Sequence, residues 1–282
     1  MTGPAGPTGP TAPTGPTGPT APAALTALEA HLRARRDAGR KLLVPYVTGG
    51  LGAQWCDALR AVAAAGADAV EVGIPFSDPV MDGPTIQEAS ARALDLGATP
   101  AGILRDLDGV DAGVPVLAMT YYNVVFRYGH HRFARTLADH GVAGAIVPDL
   151  PLEESAGWER EAAGAGVATV LLAAPVSPDE RLAELCARSQ GFVYVVSRMG
   201  TTGERDAMAA TAAVLTKRVR ALTDKPVLVG IGVSTPDHAV EACRDADGVI
   251  VGSAVVRRLL DGGGADGVAA FVRSLRAGLD AA

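Results

Sequence analysis

Two carboxylates stand where a proton could be given and a positive charge steadied. Glu71 and Asp82 fall in one run, Asp68 to Gln87, which reads Asp-Ala-Val-Glu-Val-Gly-Ile-Pro-Phe-Ser-Asp-Pro-Val-Met-Asp-Gly-Pro-Thr-Ile-Gln. The first part alternates like a strand: Ala69, Glu71 and Gly73 share one face, and Val70, Val72 and Ile74 share the other. If helices cover the apolar face, Glu71 points into the sheet's interior. An ionised acid is poorly solvated there, so its pKa should rise, which suits a proton donor. Pro75, Pro79 and Pro84 deny the next segment helix and ladder hydrogen bonds, leaving Asp82 on an irregular loop just before a helix that starts near Thr85. The plainer roles are a buried, salt-bridged structural acid for Glu71 and an N-cap or turn former for Asp82.

A second group of residues has the chemistry of an anion site. The segments Gly230-Ile231-Gly232-Val233-Ser234 and Val251-Gly252-Ser253-Ala254 each follow an apolar strand. Gly232 and Gly252 let backbone approach a phosphate closely, and Ser253 opens a helix whose free N–H groups attract one. Gly200 and Gly203 lie in a third glycine-bearing loop that could close over the ligand. These loops contain no lysine, so backbone amides would hold the anion. Polar residues at other strand ends complete the candidate set: Tyr121 and Asn123 after the third strand, Asp149 after the fourth, and Tyr194 on the sixth, with Ile231 beside the glycine of the seventh.

The elements that must position these residues repeat from Leu42 onward: an apolar strand, a Gly-, Pro- or Asp-rich turn, then an Ala/Leu-rich helix. That alternation marks parallel βα units. Strands are expected at Leu42–Val47, Ala69–Gly73, Val116–Tyr121, Ala143–Val147, Ala168–Ala173, Phe192–Ser197, Val227–Ile231 and Gly248–Val251. Eight such units without a break in composition predict one closed (β/α)8 barrel of the TIM type, with chemistry at the C-terminal strand ends. Leu25, Leu28 and Leu32 at helical spacing predict an extra N-terminal helix over Ala23–Ala38. Residues 1–22 are Gly, Pro, Thr and Ala after the initiator Met, a composition expected to stay disordered, so the barrel domain is residues 23–282.

Bulk properties narrow the function classes. With 282 residues, 48% hydrophobic, 20% charged and a net charge of −6, the chain has no bias toward nucleic acid. No apolar run approaches a membrane span, and the N-terminus has neither a charged start nor an apolar signal core, so a cytoplasmic protein is expected. Cys56, Cys186 and Cys243 are too scattered for a disulfide framework or a metal site.

Taken together, Glu71, Asp82, Tyr121, Asn123, Tyr194, the Gly200–Gly203 loop and the Gly232/Ser253 pocket resemble the tryptophan synthase alpha subunit over residues 24–280. The most specific part is Glu-Val-Gly-Ile-Pro-Phe-Ser-Asp-Pro-Val-Met-Asp-Gly-Pro-Thr-Ile-Gln. The resemblance implies a lyase of tryptophan biosynthesis that cleaves indole-3-glycerol phosphate to indole and glyceraldehyde 3-phosphate by a retro-aldol step, with no metal or organic cofactor. It implies that Glu71 is the acid/base, that Asp82 accepts the indole N–H, and that Tyr121, Asn123 and Tyr194 position the substrate. It also implies a pyridoxal-phosphate beta subunit as partner in an alpha2beta2 assembly. The turn Gly49-Gly50-Leu51-Gly52-Ala53 departs from the family by lacking its proline, and the tail of residues 1–22 is extra. Three other readings are a free-standing lyase that releases indole, a phosphosugar isomerase or epimerase on the same barrel, and a non-catalytic partner-binding barrel.

Overall fold

The computed structural model describes residues 25–196 and 205–282. The expected tail at 1–22 and the loop bearing Gly200 and Gly203 lie outside the described residues. Helix α1 (Ala27–Asp37) comes first, followed by β1 (Leu42–Thr48), α2 (Trp55–Ala64), β2 (Val70–Gly73), α3 (Pro84–Asp95) and α4 (Pro100–Leu107). Then come β3 (Val116–Met119), α5 (Tyr122–Tyr128), α6 (His130–Asp139), β4 (Val142–Ile146), α7 (Ala156–Gly164), β5 (Ala168–Ala173) and α8 (Asp179–Arg188). The last part holds β6 (Val193–Val196), α9 (Arg205–Arg220), β7 (Val227–Gly230), α10 (Pro236–Ala242), β8 (Gly248–Val251), α11 (Ser253–Leu260) and α12 (Gly264–Asp280). Each strand pairs in parallel with the next, and β8 returns to β1 through Leu42↔Gly248 to Pro45↔Val251, closing the expected (β/α)8 barrel.

Strand alternation sorts the side chains into two apolar layers. Val70 and Val72 face outward into the belt packed by α2, α4 and α12, where Leu59, Leu104 and Val272 are fully buried. Leu42, Val44, Ala69, Leu117, Val170 and Leu228 face inward and fill the barrel. Helix α1 is part of that inner layer. Its Thr26 cap accepts the amide of Glu29 at 3.2 Å, and Leu28 and Leu32 are fully buried among the inward residues. Glycines make room for this floor: a Cβ at Gly144 or Gly191 would come within 2.9 Å or 2.6 Å of Leu28 Cδ2.

The structure departs from the pattern in the sequence most clearly at the end of β3 and in an added helix, and the two share a local cause. β3 ends at Met119 because Tyr121 turns out to cap α5, a helix the pattern does not suggest. Tyr-Tyr-Asn-Val-Val-Phe is rich in strand formers, yet the Asp149 carboxylate accepts the Tyr122 amide at 2.8 Å and supplies the missing cap from a distant loop. α7 starts at Ala156, where the Ser155 hydroxyl donates to the Leu152 carbonyl at 2.8 Å and holds a turn before the helix. No described helix is long and apolar enough to cross a membrane.

The N-terminal end of the barrel is tied by buried acids. Asp68, fully buried, accepts the Leu43 amide at 2.9 Å and Arg40 Nε at 2.7 Å, with Arg276 Nη1 at 3.5 Å. Asp247 repeats the device before β8, accepting the Val227 amide at 2.9 Å and Arg220 at 3.0 Å. Removing one member of such a buried cluster leaves the others uncompensated. Asp68→Ala is therefore expected to cost about 3–5 kcal/mol in urea unfolding, whereas loss of the exposed Asp224 that pairs with Arg33 should change stability little.

Candidate active site

Glu71 projects into the barrel as the alternation requires, and it is 1% exposed. Its register partner on β1 is Tyr46, also inward and buried. Its Oε2 has no hydrogen-bond partner among the described residues, and no described cation pairs with it. Burial, reinforced by the nearby Asp82 charge, pushes its pKa up to about 8. At neutral pH the carboxyl therefore carries a proton.

Asp82 comes from the loop between β2 and α3 and is only partly buried. Burial raises its pKa to about 6, and a hydrogen bond from Tyr121 holds the rise in check. The same phenol fixes the loop twice more. Its oxygen accepts the Met81 amide at 2.9 Å, and its ring stacks on Phe76 with centroids 5.0 Å apart. Tyr121 thus clamps the segment that carries the second acid. A protonated Glu71 facing an ionised Asp82 at pH 7 is a donor and an acceptor held at different pKa values by their surroundings, the arrangement that acid/base catalysis needs.

The remaining candidates are distributed around the mouth. Tyr194 faces inward on β6 over Gly230, where a Cβ would lie 2.7 Å from its Oη, and burial raises its pKa. Gly232 adopts φ +74°, a conformation that favours glycine, and opens on free space. Gly252 caps α11 and Ser253 is exposed at its first turn. Ile231, Gly232, Val233 and His238 line a cavity of about 390 Å³ shared with α9 and α10. Asp149 and Leu172 line another of about 430 Å³ between the β4 and β5 loops. Neither cavity includes Glu71 or Asp82. Asn123 is exposed on the first turn of α5, and Asp149 also serves as the cap of that helix. Gly203 lies outside the described residues. Among the described residues no three of His, Cys, Asp and Glu gather as metal ligands would.

Reading the sequence alone missed Tyr46. It sits in the apolar run Leu-Leu-Val-Pro-Tyr-Val-Thr and looks like filler, and only its register with Glu71 reveals it. Phe76 was visible in the proline-rich loop, but not its stack on Tyr121.

The raised pKa of Glu71 has a thermodynamic consequence. Between about pH 4.5 and about 8 the folded chain keeps a proton that the unfolded chain has released, so stability falls as pH rises through that window. Glu71→Gln removes this dependence. Relative to wild type it is expected to gain on the order of 4 kcal/mol between pH 4.5 and pH 9 in chemical denaturation, with no gain at the acid end.

The comparisons with known proteins bear on the family and the fold. A family model of the tryptophan synthase alpha chain matches residues 32–275. The tryptophan synthase alpha chain of Streptomyces coelicolor is 46% identical over 261 residues, covering 88% of this chain and 94% of that one. That of Thermobifida fusca is 44% identical over 260 residues, covering 90% and 96%. Among solved structures, tryptophan synthase of Mycobacterium tuberculosis aligns with a TM-score of 0.84 at 38% identity, covering 91% of this chain and 99% of the matched chain. The alpha chain from Legionella pneumophila aligns with a TM-score of 0.82 at 29% identity, covering 91% and 98%. A family match over most of the barrel, with Glu71 inward on β2 and Asp82 on the loop above it, places this chain in the tryptophan synthase alpha chain family.

Proposed function

We propose that the chain cleaves indole-3-glycerol phosphate to indole and D-glyceraldehyde 3-phosphate, with Glu71 as the acid/base and Asp82 as the partner of the indole nitrogen. The observation that carries this reading is the pairing of a buried, protonated carboxyl on β2 with a more exposed carboxylate clamped above it. Glu71 gives its proton to C3 of the ring, and the positive charge that develops is shared with the ring N–H, which Asp82 accepts. The side-chain hydroxyl next to C3 then loses its proton to the Glu71 carboxylate. The carbon–carbon bond breaks, its electron pair restores the aromatic ring, and the alcohol becomes the aldehyde. Glu71 ends protonated as it began, so its raised pKa suits both ends of the cycle.

We assign the phosphate to the amides around Gly232, Gly252 and the first turn of α11, with Gly203 as a further donor, because a helix start and glycine backbone hold an anion without a lysine. We assign Tyr121, Asn123, Asp149, Tyr194 and Ile231 to the walls around the substrate. In this reading Tyr121 acts on Asp82 at least as much as on the ligand. The reaction needs no metal or organic cofactor. Cytoplasm is the compartment we assign, in keeping with free thiols at Cys56, Cys186 and Cys243.

We also infer a pyridoxal-phosphate beta subunit as partner, in an alpha2beta2 assembly. Val80, Met81, Phe126 and Val176 are exposed large apolar residues, at 81%, 52%, 65% and 76%, and all follow the C-terminal ends of β2, β3 and β5. An apolar rim around a mouth suits a covering protein.

Release of indole from indole-3-glycerol phosphate tests the chemistry. Glu71→Gln is expected to lower kcat about a hundredfold or more, and Asp82→Asn to lower it in the same assay. Wild-type activity in both variants would end the reading. Adding a beta subunit should raise turnover of the wild-type chain, while high turnover without one would favour a free-standing lyase.

A further inference from the structure

We infer that Tyr46 is a positioning residue for Glu71, its hydroxyl donating a hydrogen bond to the carboxylate each time that group gives up its proton. The inference rests on the lyase reading above for the step at which the carboxylate forms, but the contact is argued from geometry alone. Tyr46 and Glu71 are register partners on adjacent strands, both inward. The phenol does not stop beside Glu71. It reaches across to the next inward position of β2, where a Cβ on Gly73 would collide with its Oη. Two residues along a strand advance about 6–7 Å, and no hydrogen bond joins Glu71 to the phenol among the described residues, so the carboxylate must swing toward Gly73 to meet it.

Glycine at 73 is therefore the seat of the Tyr46 ring. The other end of the ring packs on Ile86 and Ala89 of α3 and Val256 of α11, and a Cβ at Gly252 would lie 3.7 Å from Tyr46 Cβ. The hydroxyl thus stands on the mouth side of Glu71, near α3, which follows the Asp82 loop, and α11, which opens the candidate anion site. The Thr48 hydroxyl, the Tyr121 phenol and the Asp82 carboxyl also face it, and the Asp82 charge acts on it more strongly than that of Glu71. Glu71 Oε2 has no partner among the described residues. Once it ionises in this buried setting a donor is required, and the phenol is placed to supply one.

Tyr46→Phe keeps the ring and its packing while deleting the donor. Two measurements on the full chain separate this contact from the lyase reading. In the first, the pH dependence of unfolding, with Glu71→Gln as the blank, reports the protonation midpoint of Glu71 without substrate. Losing a donor to the ionised form should raise that midpoint by about one pH unit in Tyr46→Phe. In the second, indole release should show kcat down about tenfold with KM within about threefold, and the basic limb of the kcat/KM profile moved upward by a similar interval. An unchanged midpoint in a Tyr46→Phe chain of wild-type melting temperature would overturn the inference, whatever the activity. A shifted midpoint in a chain whose wild type releases no indole would leave the contact standing and remove the lyase reading. An unshifted pH profile beside an unshifted midpoint would make Tyr46 a packing residue only.

Discussion

Glu71 sits in a place where a charge is costly, on the inner face of a parallel barrel, with no cation beside it and one oxygen unpaired among the described residues. Such a carboxyl stays protonated near neutrality because desolvation penalises its anion more than anything nearby rewards it. Much of the site follows from that constraint. A partner acid is useful only if it differs in solvation, and Asp82 does: it hangs on an irregular loop, half open, with a phenol bonded to its carboxylate. Had a lysine or arginine lined the interior, Glu71 would have ionised and lost its value as a donor.

The barrel makes that burial possible and the loops make it selective. Outward valines on β2 pack under helices and force the alternate residue inward, so one strand both anchors the sheet and aims the acid. The two inward tyrosines, Tyr46 and Tyr194, each lie over a glycine on the neighbouring strand, Gly73 and Gly230. A flat aromatic ring laid across a strand that lacks a Cβ narrows the barrel without filling its centre. Stiffness near the mouth comes from Tyr121, whose ring and hydroxyl fasten both ends of the segment from Phe76 to Asp82.

Much of this could be seen in the residues. The βα alternation from Leu42, the inward side of Ala69, Glu71 and Gly73, and the glycine-ended strands β7 and β8 all follow from local periodicity and turn chemistry. What could not be seen depends on pairs far apart in the chain. α5 forms because Asp149 caps it from the next βα loop, and no property of Tyr122–Tyr128 announces that. Tyr46 shows its importance only through register with Glu71 and through the empty face of Gly73. Tyr121 was legible as a polar ring at a strand end, but its hold on the Asp82 loop needed the loop's path. The buried cap made by Asp68 likewise depends on Arg40 and Arg276, which approach from opposite ends of the chain.

Helix α1 closes the barrel from below, with Leu28 and Leu32 sunk into the inner layer and two glycines cut away to admit them. At that end the described residues form a packed floor. A small apolar product set free beside Glu71 meets Leu28 and Leu32 below it, where the described residues fill the space. Whatever sits on the rim therefore decides the product's route, passing it onward or holding it in, without touching the chemistry underneath.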